Sequence, residues 1–473
     1  MSVTYVTEGD SATPAYMNTL LNRAAGDVYN VLEFGAAGDG STDDAASIQS
    51  TIDSADSGGK VLFPSGRTYV TSRVTITKPL TVIADGSNFS LTGTGAGFVV
   101  QGNFSDINVR GGRIVGSTNT LHDQIAWLFG DDGSNLSRIK VQNVVVEGCR
   151  VGLKFSGSAT TRLQDVMAIG CSLTSVRGTV GGSGYGIQFT ECAGYRAIGN
   201  NFDHCERHSL YMDLGRGGAA VGNSFQRHRS SVVDGSSRAA LSISRAENVT
   251  ATGNTFFDCN DVDLIVDTDS QGTQCRNVSV VGNVFSGSSS QAVVIGNTGA
   301  ASEGTTENVS VVGNSFYRAP AQRGQTFVEV STGRNISVAN NVFHHESSPG
   351  GASWAAIFLR GSSAAARTNR VNITDNVFNL SEADGTAYDI EFGANVVASG
   401  GPVVHYTGNL RNVESSLLFD DTNNNANLRI SHQASIPATG TASGVSGDFA
   451  FGAGFMYVCT SSASWSRATL NTF

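Results

Sequence analysis

Val278-Ser279-Val280-Val281-Gly282-Asn283-Val284-Phe285 is one instance of a phrase that recurs down the middle of this chain. The same G-N-x-F stands at Gly199-Asn200-Asn201-Phe202, Gly222-Asn223-Ser224-Phe225, Gly253-Asn254-Thr255-Phe256 and Gly313-Asn314-Ser315-Phe316. Variants follow at Asn340-Asn341-Val342-Phe343, Asp375-Asn376-Val377-Phe378 and Gly408-Asn409-Leu410. Weaker forerunners stand at Gly148-Cys149-Arg150-Val151 and Gly170-Cys171-Ser172-Leu173. From Asn200 to Asn409 the asparagines are 23, 31, 29, 31, 27, 35 and 33 residues apart, a repeat of solenoid size. Before each bend the apolar residues alternate with period two, as a strand requires, without the three-to-four spacing of a helical repeat. After each bend comes a second alternating segment, such as Leu210-Tyr211-Met212, Leu241-Ser242-Ile243, Leu264-Ile265-Val266 or Val328-Glu329-Val330. One such unit per coil predicts an all-β, right-handed parallel β-helix. The blades of a propeller need about 40–45 residues each, more than these units hold. Left-handed geometry at the bend suits both Gly and Asn, and asparagines at one bend can hydrogen-bond from coil to coil.

Around the repeats the chain divides into three. Residues 1–30 read as a lead-in or attachment segment with a short helical pattern at 14–23. Residues 31–414 read as the β-helix, and residues 415–473 as a small C-terminal β module that caps it or joins copies. Ser41-Thr42-Asp43-Asp44 reads as a capping box that opens a helix over 43–55, ended near Gly58-Gly59. That helix would cover the open end of the solenoid, whose first coil has no neighbour to bury its core.

Composition narrows the functions. Charged residues make up only 15% of 473, the formal net charge is −10, and no long basic run occurs, which argues against a nucleic-acid partner. No stretch of about 18 apolar residues predicts a membrane span. Glu8 and Asp10 lie where a secretory leader would be basic and then apolar, so none is expected. Seven scattered cysteines without a CxxC pair read as buried thiols made in a reducing cytoplasm, neither a disulfide frame nor a metal site.

The opening Tyr29-Asn-Val-Leu-Glu-Phe-Gly-Ala-Ala-Gly-Asp-Gly-Ser-Thr-Asp-Asp44, with Ile48, Ile52 and the stretch from Gly58 to Tyr69, resembles the start of the pectate-lyase-like superfamily. That superfamily includes glycan-degrading β-helices and many bacteriophage tailspikes. Gly447-Asp-Phe-Ala-Phe451, Tyr457-Val-Cys-Thr460 and Trp465-Ser-Arg-Ala468 look like terminal modules of phage tail proteins. The resemblance implies a homotrimeric tailspike, made in the host cytoplasm, carried on the virion tail and held by a tail or adaptor protein. It would bind and depolymerise bacterial surface polysaccharide: capsule, exopolysaccharide or lipopolysaccharide. Asp39, Asp43 and Asp44 look like turn and cap residues of the motif. The pectin-hydrolase motifs N-T-D, D-D, G-H-G and R-I-K do not occur in that order, and Arg138-Ile139-Lys140 stands alone, so pectin is not the expected substrate.

The second strand of each coil yields candidate site residues. If Leu210 and Met212 point in, Ser209, Tyr211 and Asp213 point out, and the same register puts Asp263, Ile265 and Asp267 outward two coils on. At about 4.8 Å per coil, Asp213 and Asp267 would stand on the order of 10 Å apart. Inverting glycosidases keep their acid and base about 6.5–9.5 Å apart to admit a water. Asp213, Asp267, Asp263, His208 and Tyr211 are therefore the catalytic candidates. Gln188, Glu206, Arg229, Arg238 and Arg245 are candidates for holding sugar. Hydrolysis would require no cofactor. The alternative, β-elimination on a uronic-acid polymer, would use His208 or Tyr211 as base, with Ca²⁺ on Asp213, Asp263 and Asp267. A third reading is a receptor-binding fibre that grips glycan without cutting it. Glu329 and Glu391, with Phe358 between them and Arg360 and Asp389 alongside, make a second candidate column. His344-His345-Glu346 reads as an exposed polar turn in a loop and not as a metal cluster.

Overall fold

The computed structural model describes residues 27–116, 124–130, 133–178, 183–228, 238–268, 273–296, 306–319, 326–346, 354–361, 368–380, 387–393 and 403–411, with shorter strand segments between 417 and 469. The helical pattern expected at 14–23 lies outside the described residues. Described strands form a parallel β-solenoid of about 11 turns with one α-helix. Each coil feeds two strand segments into a 28-strand sheet and one into a 13-strand sheet. In one coil these are Cys275–Val281, Val284–Ser286 and Val293–Ile295, which pair in parallel with Thr306–Val312, Ser315–Arg318 and Val328–Val330 of the next.

The bend works by a division of labour. Gly199, Gly222, Gly253, Gly282, Gly313 and Gly408 all have φ between 60° and 68°, and Asn340 and Asp375 take that place at 54° and 56°. The asparagine that follows was expected to share this geometry, but it does not. Its task is the ladder. Asn283 Nδ2 donates to Asn314 Oδ1 at 3.0 Å and to the Ala251 carbonyl at 3.0 Å. Its Oδ1 accepts the Asn254 backbone N–H and side-chain amide, both at 2.9 Å. The same pattern runs from Asn200 to Asn409. Two residues on, Phe202, Phe225, Phe256, Phe285, Phe316, Phe343 and Phe378 stack face to face inside the core, 4.7–5.1 Å between centroids. Rings that repeat at the coil spacing stack nearly parallel and offset, so one aromatic per coil occupies its layer of the core.

The end cap is as expected in position and different in its first residue. The helix Ala45–Ser54 buries Ile48, Thr51 and Ile52 against the first coil. Its Gln49 amide donates to the Thr75 carbonyl at 2.9 Å and accepts the Thr75 N–H at 2.8 Å. Thr75 lies in Val74–Ile76, the end strand of the 13-strand sheet, so a side chain satisfies an edge that has no further strand. No Ser41 capping box forms. Asp43 accepts the Ala45 N–H, while buried Asp44 accepts those of Ala37 and Gly38, which fastens the loop before the helix. Asp39 accepts the Ser41 and Thr42 N–H groups, and these bonds pull its carboxyl far down.

Parallel pairing continues beyond residue 414, through Leu417–Asp420 and Arg429–Ser431. Phe449–Gly452, Phe455–Ser461 and Ser464–Thr469 form a separate three-stranded antiparallel sheet. The six described cysteines are buried free thiols, and burial pushes them up, Cys149 to about 12 and Cys171 to about 11.

Candidate functional site

The outward positions of the 13-strand sheet follow the expected register. Leu210, Met212, Leu241, Ile243, Leu264 and Val266 face the core. Gln188, Tyr211, Ser242 and Ile265 make one outward column, and Thr190, Asp213, Ser244 and Asp267 make the next. Asp213 and Asp267 are thus two coils apart, on the order of 10 Å.

Asp213 is only 4% exposed. Arg245 Nε donates to its Oδ1 at 2.8 Å and Nη2 to its Oδ2 at 2.6 Å. Arg245 reaches it from the turn after the next coil's strand, where its φ is +51°. A carboxyl that accepts a guanidinium through both oxygens is an anion, with no proton to give. Asp267 is half-buried. One coil before Asp213, Arg162 pairs with Glu191 at 2.7 Å, a second fixed ion pair at the same edge.

Beside these columns stands an aromatic platform. Tyr185, His208 and Tyr211 stack on one another with centroids 5.0–5.6 Å apart, and Arg207 lies over the Tyr185 ring at 5.7 Å. Val99, Ile125, Leu128 and Val151 extend the patch toward the N-terminal coils, apart from the main core. His208 is buried, its Nδ1 3.1 Å from the Ala239 carbonyl oxygen, and burial drives it down to about 3, leaving a neutral ring and a weak base. Burial, and then the Asp213 charge, raise the Tyr211 phenol, so it stays protonated.

Four expectations need correction or closer placement. Asp263 does not face outward with Asp267. The chain turns its corner at 262–263, so Asp263 points inward beside Ala240 and Ala292, which belong to the core, and it is 1% exposed. Burial raises its carboxyl strongly, against the opposing pull of buried Arg318. Arg318 in turn donates to the Ser290 and Thr326 carbonyls and covers the Phe327 ring. Asp389, expected alongside Glu391, also points inward and accepts the Tyr406 hydroxyl at 2.6 Å. His344 and His345 lie in the strand Val342–His345 and so face opposite ways. His344 stacks on Tyr317, while His345 is buried toward Arg318. Arg138 is on the other sheet, paired with Asp106 at 2.7 Å.

Among the proposed sugar contacts, Gln188 is half-buried and donates to Thr190 Oγ1 at 3.1 Å. Glu206 accepts the Gly178 N–H and lies 3.8 Å from Arg177. Arg238 is half-buried, and its charge helps to depress His208 and His228. Arg229 lies outside the described residues. Tyr185, Lys154 and the Arg162–Glu191 pair were not singled out from sequence. Lys154, between core residues Leu153 and Phe155, was legible from alternation; Tyr185 was not, because alternation back from Ile187 and Phe189 turns it into the core, whereas it packs with Tyr211 outside it. No group of three or more His, Cys, Asp or Glu among the described residues is arranged to hold a metal ion, and no described helix is long and apolar enough to cross a membrane.

Solved structures with a similar course of chain include a mutant tailspike protein of Escherichia coli bacteriophage HK620 (14% identity, 91% of this chain, 79% of that chain, TM-score 0.54). That phage's tailspike is also known in complex with a pentasaccharide. The Dettilon tailspike protein matches at 15% identity over 98% of this chain and 79% of its own, TM-score 0.53. The A-module of an Azotobacter vinelandii mannuronan C-5 epimerase matches at 14% over 85% of this chain and 97% of its own, TM-score 0.51. At these identities the likeness is one of fold. None of the curated proteins matches the chain. With residues 28–283 matching its family pattern, the chain belongs to the rhamnogalacturonase A/epimerase, pectate lyase-like family.

Proposed function

We propose that this chain is a phage tailspike that binds bacterial surface polysaccharide along the outer face of its 13-strand sheet and cuts it by glycoside hydrolysis. The observation that carries the reading is the Tyr185–His208–Tyr211 platform beside the column that holds Asp213 and Asp267. Tyr211, the half-buried ring of the three, offers a surface to the apolar face of a sugar, with buried Tyr185 and His208 stacked against it. Asp213, kept anionic by Arg245, serves as the base that activates water. Asp267, less enclosed and two coils away, serves as the acid that protonates the leaving oxygen. Gln188, Glu206 and Arg238 then position sugar around the pair. The tailspikes that share the fold support a place on a phage; the same reading takes the chain to be a homotrimer on the virion tail, held by a tail or adaptor protein.

Elimination on a uronic-acid polymer is the second reading, since a mannuronan epimerase also shares the fold and its chemistry begins at a uronate. Against it stand the two residues that would act as base: His208 binds a proton too weakly and Tyr211 releases one too reluctantly. Asp263, turned inward, is also lost to a Ca²⁺ site with Asp213 and Asp267.

The test is incubation with capsule, exopolysaccharide and lipopolysaccharide preparations, following reducing ends together with the ultraviolet absorbance of unsaturated uronate. New reducing ends without absorbance, abolished in Asp267→Asn, are expected. Rising absorbance would replace hydrolysis with elimination. Binding to a glycan that is never cut would leave a non-cleaving receptor fibre.

A further inference from the structure

Two coils past Asp267, the outward column of the 13-strand sheet changes character. Ile265 and Val294 give way to Glu329, Phe358 and Glu391. Glu329 is 2% exposed, yet it keeps three donors: Arg360 Nη2 at 2.5 Å and Ser331 Oγ at 2.6 Å on Oε1, and Gln291 Nε2 at 2.8 Å on Oε2. Their combined effect is to fix one guanidinium whose side chain is still 36% exposed. Arg360 has five N–H groups, of which one on Nη2 goes to Glu329 and the one on Nε to Ser331 Oγ at 3.4 Å. The guanidinium lies 5.5 Å from the centre of the half-exposed Phe358 ring. Gly393, in the next coil, makes room for both: a Cβ there would come within 2.8 Å of Arg360 Cβ and 3.0 Å of Phe358 Cζ.

We infer that Phe358, Arg360 and Glu391 form a second sugar-binding subsite, which takes one neutral pyranose ring of a polysaccharide running along the solenoid axis. The inference rests on the reading of this face as a glycan surface and does not depend on cleavage. A carboxylate buried only to stabilise the fold gains little, because an apolar side chain of similar size would do as well. A carboxylate buried to aim a half-exposed guanidinium preorganises a binding group. The ring supplies an apolar platform, Arg360 donates to ring or hydroxyl oxygens, and Glu391, beside Phe358 in register, accepts from hydroxyls. Among the described residues two carboxylates stand here against one guanidinium, so the subsite disfavours an anionic sugar and selects a hexose or N-acetylhexosamine. Phe358 lies five coils from Tyr211, roughly 24 Å along the axis. One polymer can therefore engage both platforms, and the second contact is gained at high effective concentration.

The experiment is saturation-transfer NMR on the full chain with methyl glycosides of galactose, glucose, mannose, N-acetylglucosamine and glucuronate. A Tyr211→Ala background removes the contribution of the first platform. At least one neutral glycoside is expected to bind, glucuronate less well, with affinity down about tenfold in Phe358→Ala and several-fold in Arg360→Lys. Gly393→Val, which pushes ring and guanidinium apart without removing either, is expected to act like Phe358→Ala, and circular dichroism melts establish that each variant is folded. Neutral glycosides that fail to bind in the Tyr211→Ala background, or that bind Phe358→Ala and Gly393→Val as tightly as the parent, would overturn the subsite. Loss of depolymerisation in Asp267→Asn alongside either result would leave the hydrolase reading standing. Unchanged depolymerisation in Asp267→Asn would sink that reading and leave the subsite untouched.

Discussion

Asp213 and Arg245 come from neighbouring coils and meet at a nearly closed edge of the sheet, where each is costly without the other. Asp213→Asn is expected to lower stability to urea by roughly 2–4 kcal/mol, because the guanidinium loses its anion. Arg245→Met added to it should recover part of the loss, since two uncharged groups replace one stranded charge. A double variant less stable than the single one would show that the pair is not coupled in this way. Histidine gives a pH test. His208 and His228 are buried and neutral, pushed from 6.5 down to about 3 and about 4. In the unfolded chain they take up protons near pH 6.5, while in the folded chain they resist. Stability should therefore fall as pH drops from about 6.5 toward 3, and the acid limb should be shallower in His228→Asn. Denaturant midpoints across that range measure it. The carboxylate–carboxylate column was legible at this scale from alternation alone. The orientation of Asp263 was not, because alternation breaks at a corner, and only the coils on either side reveal that Ala240 and Ala292 are core residues.

At the scale of the element, the bend separates two demands that one residue cannot meet together. The first position must adopt positive φ, and the second must bond up and down the stack. Gly253 has open space around its α-carbon, so Gly253→Ala should cost only the left-handed strain, about 1 kcal/mol. Gly253→Asn should cost less, as Asn340 already holds that conformation in its own coil. Asn283→Ala is expected to cost roughly 3–5 kcal/mol, leaving the Asn254 N–H and the Ala251 carbonyl buried and unpaired. Asn277→Ala offers the contrast. It belongs to a second ladder, Asn248–Asn277–Asn308–Asn335, which lies in solvent, and its loss should cost under about 1 kcal/mol. Equal effects at Asn283 and Asn277 would refute the assignment of stability to the inner ladder. The outer ladder, and the alternating Arg216, Glu247, Arg276, Glu307 and Arg334 beside it, were present in the repeats but passed over. Polar residues at one repeat position signal nothing until stacking brings them side by side.

For the whole molecule, each coil contacts only its neighbours, so damage should spread from where it is done. Phe256→Ala opens a hole in the ring stack worth about 3–5 kcal/mol. Hydrogen exchange should rise first in the coils that hold Phe225 and Phe285 and last near the helix Ala45–Ser54. Uniform loss of protection along the chain would contradict a nearest-neighbour solenoid. The helix is where sequence and structure agree in outcome and differ in means. A cap was expected there from the capping box at 41–44 and the glycines at 58–59, and the structure closes the sheet edge with the Gln49 amide, a contact to Thr75 that lies 26 residues away in the chain.

By itself the sequence determined the coil. A period-two pattern interrupted by a recurring G-N-x-F admits one way to bury all its apolar residues, and stacking identical bends is that way. It also determined which residues share the column of Asp213 and Asp267, since register follows from alternation. Only tertiary structure decided which of them are reachable and in what state. Arg245 clamps Asp213 through both carboxylate oxygens, Asp263 turns into the core, and Glu329 withdraws to aim Arg360. Exposure and charge state are properties of neighbours, and in a solenoid every neighbour that matters is a full turn away.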